Sequence, residues 1–207
     1  TMGINTRLMR TTGLNSLQST LPHLAKASRL LLVHNTYTSN EDIRWAERVM
    51  EDERWKMENG RWETEDGEWK MENGGWKMRD GKKHIQNPKS KIQNLYWCTC
   101  PNANLYIENR LPDYNCFINE GVSITIGTDS LASNWSLSVL DELKTISKHY
   151  PAIPLQILLL WATKNGADFL GFTQLGTIEK GKRPGLNLLK GVDGLKIAEK
   201  TEVQKLV

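Results

Sequence analysis

The stretch Val122-Ser123-Ile124-Thr125-Ile126-Gly127-Thr128-Asp129 decides how the rest of the chain is read. Apolar Val122, Ile124 and Ile126 alternate with polar Ser123 and Thr125, the period of two expected of a β-strand. The run stops at Gly127-Thr128-Asp129, so a carboxylate stands just past the strand's carboxyl end. Working outward, Leu30-Leu31-Leu32-Val33 is a continuous apolar run that stops at His34. Such a run suits a strand covered on both faces. Between these two, Leu95 to Cys100 reads as a further short strand, ended by Pro101.

Helical signals separate the strands. Asn40-Glu41-Asp42-Ile43 reads as a cap opening a helix. Ser138-Val139-Leu140-Asp141 has the capping-box pattern, and Leu140, Leu143 and Ile146 continue at helical spacing. Pro154 opens a helix from Leu155 to Lys164, with Asn165-Gly166 as the expected stop. Strand and helix in alternation predict an α/β fold with a parallel sheet or barrel. In parallel barrels the carboxyl edge of the strands builds the active site. His34 and Asp129 both fall on that edge. Each alone reads at least as well as a structural histidine or a turn aspartate; together, on consecutive units of one pattern, they favour a site.

Composition narrows the function classes. The chain has 207 residues and a formal net charge of +3, too small and dispersed an excess to predict nucleic-acid binding. The longest apolar run, Ile157 to Ala162, is far short of the roughly 20 residues of a membrane span. Three cysteines, Cys98, Cys100 and Cys116, are not a disulfide framework, and Cys98-x-Cys100 lacks the spacing of a CxxC pair. Plain core or strand thiols and a reducing, cytoplasmic setting are expected. Thr1 is no initiator residue, so an upstream segment is compatible with the sequence.

Residues 50–94 differ from the rest: they contain no Leu, Val or Phe. Four seven-residue units run from Arg54-Trp55-Lys56-Met57-Glu58-Asn59-Gly60 to Gly75-Trp76-Lys77-Met78-Arg79-Asp80-Gly81. A coiled coil is rejected, because each unit ends in Gly, at about 1 kcal/mol per site against helix, and the apolar residues sit at i and i+2. Short hairpins with Asn-Gly or Asp-Gly turns fit better. The stretch is expected to be a tandem-duplicated, poorly ordered insertion between 1–49 and the segments 95–175 and 176–207.

Four segments, in order, resemble the amidohydrolase superfamily, in its cytosine-deaminase, chlorohydrolase and adenosylhomocysteine-deaminase branch. Ile126-Gly127-Thr128-Asp129-Ser130-Leu131-Ala132-Ser133-Asn134 is similar to the motif after barrel strand eight, and Leu32-Val33-His34-Asn35-Thr36 to the strand-six histidine segment. Cys100-Pro101-Asn102-Ala103-Asn104-Leu105 resembles the Cys-Pro-x-Ser-Asn-Leu after strand seven. Ala162-Thr163-Lys164-Asn165-Gly166-Ala167, Leu170-Gly171 and Gly176 to Lys182 resemble the family's tail. Asn134-Trp135-Ser136-Leu137 and Asp141-Glu142-Leu143 are faintly similar to aminodeoxyfutalosine deaminases.

The resemblance implies a partial TIM-type (β/α)8 barrel, strands six to eight, with the start of a small flanking β-sandwich. It implies a metal-dependent hydrolase of carbon–nitrogen bonds, deaminating an aminated purine- or pyrimidine-type ring. Asp129 matches the metal-ligating, proton-shuttling carboxylate. His34 matches the histidine that orients water or substrate, and Asn134 is a candidate for lining the substrate pocket. The implied cofactor is a divalent metal, zinc or iron, which lowers the pKa of bound water from about 15.7 toward about 7. The implied partner is a small-molecule substrate, and a homo-oligomeric parent enzyme is compatible with it.

Departures from the pattern cut the other way. The family's His-x-His is absent, and His23, His84 and His149 do not stand at strand ends. A catalytic zinc takes three protein ligands, so the chain alone is expected to be inactive. Gly181-Lys182-Arg183-Pro184 replaces the family's Gly-Lys-x-Ala-Asp, and the polar segment beyond Lys190 is expected to fray. Two other readings stay open: a non-catalytic fragment or decayed paralogue with a passive repeat, and a binding module built on the Trp units.

Overall fold

The computed structural model describes residues 15–51 and 95–207, together with the backbone of four short strands within 56–78. The chain divides into two units, one formed by 1–28 with 40–92 and the other by 29–39 with 93–207.

In the first unit, helix α1 (Ser16–Leu24) starts at Asn15. The Asn15 side chain accepts from Gln18 N at 2.9 Å, and Asn15 N donates back to Gln18 Oε1 at 3.2 Å. This closes a reciprocal capping box on two amides that would otherwise be orphaned. Asn15 Nδ2 also donates to Asp42 Oδ1 (2.9 Å) in helix α2 (Asn40–Glu51), which starts where the sequence predicts. Strands β2 (Lys56–Glu58), β3 (Arg61–Thr64), β4 (Gly67–Glu72) and β5 (Gly75–Met78) pair antiparallel in sequence order. That is the connectivity successive hairpins give. Met50 and Glu51 of the 50–94 insertion expected from sequence belong to α2, and, apart from these strands, its remainder, including His84, lies outside the described residues.

The second unit carries the parallel sheet. Strands β1 (Leu30–Val33), β6 (Leu95–Thr99) and β7 (Ile124–Ile126) lie in the order β1-β6-β7, all parallel, with β6 central. Leu30 faces Leu95 and Val33 faces Cys98 across one ladder, and Thr99 faces Ile126 across the other. The fold is thus α/β with a parallel sheet, as expected. Every residue of β6 is buried, which suits a strand covered on both faces. From β6 the chain runs through α3 (Pro101–Glu108) and α4 (Tyr114–Glu120) into β7. It then continues through α5 (Val139–His149), α6 (Leu155–Ala162) and α7 (Lys164–Leu170). Aromatic rings join the layers: Trp97 meets Phe117 edge-on at 5.4 Å, and Tyr114 meets Tyr150 at 4.9 Å.

Two expectations need correction. Asn165-Gly166 does not end the helix that begins at Leu155. Thr163, at φ −131° and ψ −78°, breaks it, and α7 carries the chain on to Gly171, whose φ of 72° supplies the left-handed cap. Asn165 instead donates its amide to Ile124 O at 2.7 Å, tying α7 to β7. The segment beyond Lys190 does not fray either: β8 (Asn187–Lys190) pairs antiparallel with β9 (Glu202–Lys205). Thr201, fully buried, donates to Gly191 O (3.2 Å) and accepts from Ala198 N (2.9 Å). The ladder and this turn satisfy backbone that polarity alone would assign to solvent. Among the described residues no helix is long and apolar enough to cross a membrane.

Candidate active site

The parallel register sends β1, β6 and β7 out at one edge of the sheet, and that edge carries the polar residues. β1 delivers His34, which is half-buried, and β7 delivers Asp129, which is exposed, one on each side of β6. His34, Asn35 and Asp129 have φ of 71°, 58° and 57°. Left-handed backbone is uncommon for residues other than glycine, and it clusters at functional sites.

Three amide side chains hold this edge in shape. Asn35 Nδ2 donates to Leu32 O (2.7 Å) and to Cys98 O (3.1 Å), stapling the end of β1 to the end of β6. Asn104, buried in α3, donates from Nδ2 to His34 O (3.1 Å) and to Thr36 Oγ1 (2.6 Å). Its Oδ1 therefore accepts, and the contact with His34 Nδ1 at 3.2 Å sets the proton on Nδ1. The neutral ring is left with its lone pair on Nε2. Asn134 donates to Thr128 O (2.7 Å) and to Glu142 Oε1 (2.6 Å), while its own Oδ1 accepts from Ser136 N (3.2 Å). Asn134, expected to line a pocket, thus sits buried behind the Asp129 loop with each polar group engaged.

Glu142 stands at the centre of this support. It is fully buried in α5 and accepts from Asn102 N (2.8 Å), Asn102 Nδ2 (3.1 Å) and Asn134 Nδ2. One carboxylate therefore ties the start of α3, helix α5 and the Asp129 loop together. Burial pushes its carboxyl above the usual range, with the hydrogen bonds from Asn102 and Asn134 working against that rise. The Asp129 carboxylate accepts from Ser133 Oγ in its own loop.

Beneath the edge lie two thiols. Cys98 and Cys100 are both buried, and Cys98 Sγ lies 4.0 Å from Thr99 O. The neighbouring Cys100 thiol lowers the Cys98 thiol to about 7, while Cys98 and burial push Cys100 up. A metal fits this edge poorly. Among the described residues no three His, Cys, Asp or Glu side chains cluster so as to hold an ion. Of the other histidines, His23 in α1 and His149 at the end of α5 are exposed.

The Amidohydrolase family profile matches residues 3–206 of the chain. The chain belongs to the amidohydrolase family. A 5-methylthioadenosine/S-adenosylhomocysteine deaminase of Bacillus cytotoxicus is 34% identical over 89 residues, 40% of this chain and 20% of that protein. An adenosine deaminase of Helicobacter pylori is 37% identical over 98 residues, 46% of this chain and 24% of that protein. The matched segments thus span about a fifth to a quarter of these relatives. Among solved structures, Helicobacter pylori aminofutalosine deaminase in complex with methylthio-coformycin is similar at a TM-score of 0.53 and 26% identity. That likeness covers 82% of this chain and 31% of the deaminase.

Within this amidohydrolase chain, sequence reading found the two residues at the strand ends and missed their supports. Asn35, Asn104 and Glu142 all lie in segments that carry the resemblance, but their role comes only from the contacts they make. Asn104 stands between apolar Ala103 and Leu105, but Asn35 lies between His34 and Thr36 and Glu142 follows Asp141, so nothing local marks these two out. The partners that tie them to other elements, Asn102, Cys98, His34 and Thr36, lie 40 to 70 residues away, so no local pattern announces them.

Proposed function

We propose that the chain forms strands six to eight of a (β/α)8-type barrel, with 50–94 as an insertion and 176–207 as part of a flanking β domain. The enzyme so built is a hydrolytic deaminase of an adenosine-like, aminated purine-type ring. The observation that carries the reading is the placement of His34 and Asp129 at the carboxyl edge of the two parallel strands that flank β6. The names of the relatives, deaminases of adenosine-type compounds, favour the substrate class.

In this reading the reaction replaces a ring amino group by oxygen: water adds at the aminated carbon and ammonia leaves. Asp129 takes the proton of the attacking water and passes it to the departing amine, the work of a general base that turns general acid. His34, with its proton held on Nδ1 by Asn104, offers Nε2 to orient water or substrate. Asn134 supports the Asp129 loop from behind.

A divalent ion, zinc or iron, is the activator expected for such chemistry. Asp129 offers one carboxylate toward it. A catalytic zinc takes three protein ligands, and the described residues do not assemble that set; no step is drawn through the ion. The test is a screen for ammonia release from aminated purine and pyrimidine nucleosides by the natural full-length protein, with zinc or iron supplied. Release from an adenosine-type nucleoside is expected. No ammonia from any amino-heterocycle would overturn the proposal.

A further inference from the structure

The two thiols at the end of the central strand are used by none of the chemistry above. Cys98 lies on β6 and Cys100 one residue past its end, so two side chains two residues apart leave the same side of the extended chain. The neighbouring strand brings Gly127 alongside, its N–H donating to Thr99 O at 2.9 Å. A Cβ on Gly127 would stand 3.0 Å from the Cys98 sulfur and 3.1 Å from the Cys100 sulfur. Both sulfurs therefore reach over Gly127, just past the end of β7, where the chain has no side chain. The two sulfurs thus share one small space.

We propose that Cys98 and Cys100 together form a bidentate binding site for a soft, thiophilic Lewis acid of the trivalent-arsenical type. Thiolate is the form that ligates, and the neighbouring Cys100 thiol draws the Cys98 thiol down to about 7. Chelation is favoured over disulfide formation. Strand residues two apart have Cα atoms separated by about 6.6 Å, close to the upper end, about 6.8 Å, of what a disulfide tolerates. With an organoarsenic oxide the reaction balances without an oxidant. Two S–H bonds and the arsenic–oxygen bond break, two arsenic–sulfur bonds form, both protons leave with the oxygen as water, and arsenic stays trivalent.

Cys116 supplies an internal control. It sits on α4, its thiol facing Asp113 Oδ2 at 3.4 Å, away from the pair. The experiment is titration of the full chain with phenylarsine oxide, read by intact-protein mass. One arsenical per chain is expected, resistant to excess glutathione and released by dimercaptopropanol. Affinity should fall at least about 100-fold in Cys98→Ser and equally in Cys100→Ser, the gain a second tethered ligand gives, and stay unchanged in Cys116→Ser. Gly127→Ala leaves every thiol in place but drives a methyl between the sulfurs, and should weaken binding about 10-fold or more. A wild-type adduct that glutathione strips, or one that survives both single serine changes, would overturn the proposal.

Discussion

Replacing Glu142 with glutamine should destabilise the second unit by about 1–3 kcal/mol, the cost of leaving a buried donor without its acceptor. The carboxylate accepts three hydrogen bonds, from Asn102 N, Asn102 Nδ2 and Asn134 Nδ2. Glutamine keeps one oxygen and turns the other into a donor. With the amide nitrogen facing Asn102 N–H, that backbone group meets a donor. With the nitrogen facing the two asparagine amides, two bonds are lost. Flipping the asparagines does not help, because Asn102 Oδ1 already accepts from Thr145 Oγ1 (2.5 Å) and Asn134 Oδ1 from Ser136 N. At about 2–4 °C per kcal/mol for a chain of this size, the melting temperature should drop by several degrees. The pH dependence gives a second signature. Burial raises the Glu142 carboxyl in the folded state, so the folded form binds its proton more tightly than the unfolded form. The stability this contributes is complete below the unfolded value and is lost as pH rises through the folded value. Glutamine lacks that titration, so the fall in wild-type stability across this window should be absent from the variant's pH profile. Thermal melts by circular dichroism from pH 4 to 8 measure both. A variant as stable as wild type, with the same pH slope, would refute the buried network.

Asn35→Gly keeps the left-handed backbone at φ 58° but removes two hydrogen bonds, to Leu32 O and Cys98 O; a loss of about 1–2 kcal/mol is expected in denaturant melts. Gly171→Ala should also destabilise, by about 1–2 kcal/mol for a residue forced to positive φ. Its φ is 72°, and the new methyl would stand 2.7 Å from Arg29 Nη1, which holds Phe169 O at 2.8 Å. The matching measurement is the melting temperature of Gly171→Ala beside Arg29→Ala, which opens the space and should recover part of the loss in the double variant.

The three parallel strands were legible because each is a short apolar run with a polar stop. Leu30–Val33 and Leu95–Thr99 are continuous, and Ile124–Ile126 alternates. His34 and Asp129 were legible for the same reason, standing where those runs stop. The break at Thr163 was not, since Asn165-Gly166 is a strong local stop that a tertiary bond from Asn165 to Ile124 O overrides. The pairing of β8 with β9 was hidden by polar composition, because its ladder is made of backbone. Asn104 and Glu142 escaped because a buried amide or carboxylate has meaning only through partners distant in sequence.

Asp129→Asn in the natural full-length protein probes the account most directly. Asparagine tolerates the φ of 57° and can still accept from Ser133 Oγ, so the fold should hold. It cannot take up the proton of an attacking water. Ammonia release from an adenosine-type nucleoside should fall by about 10²–10⁴-fold at an unchanged melting temperature. Release at the wild-type rate would contradict the account.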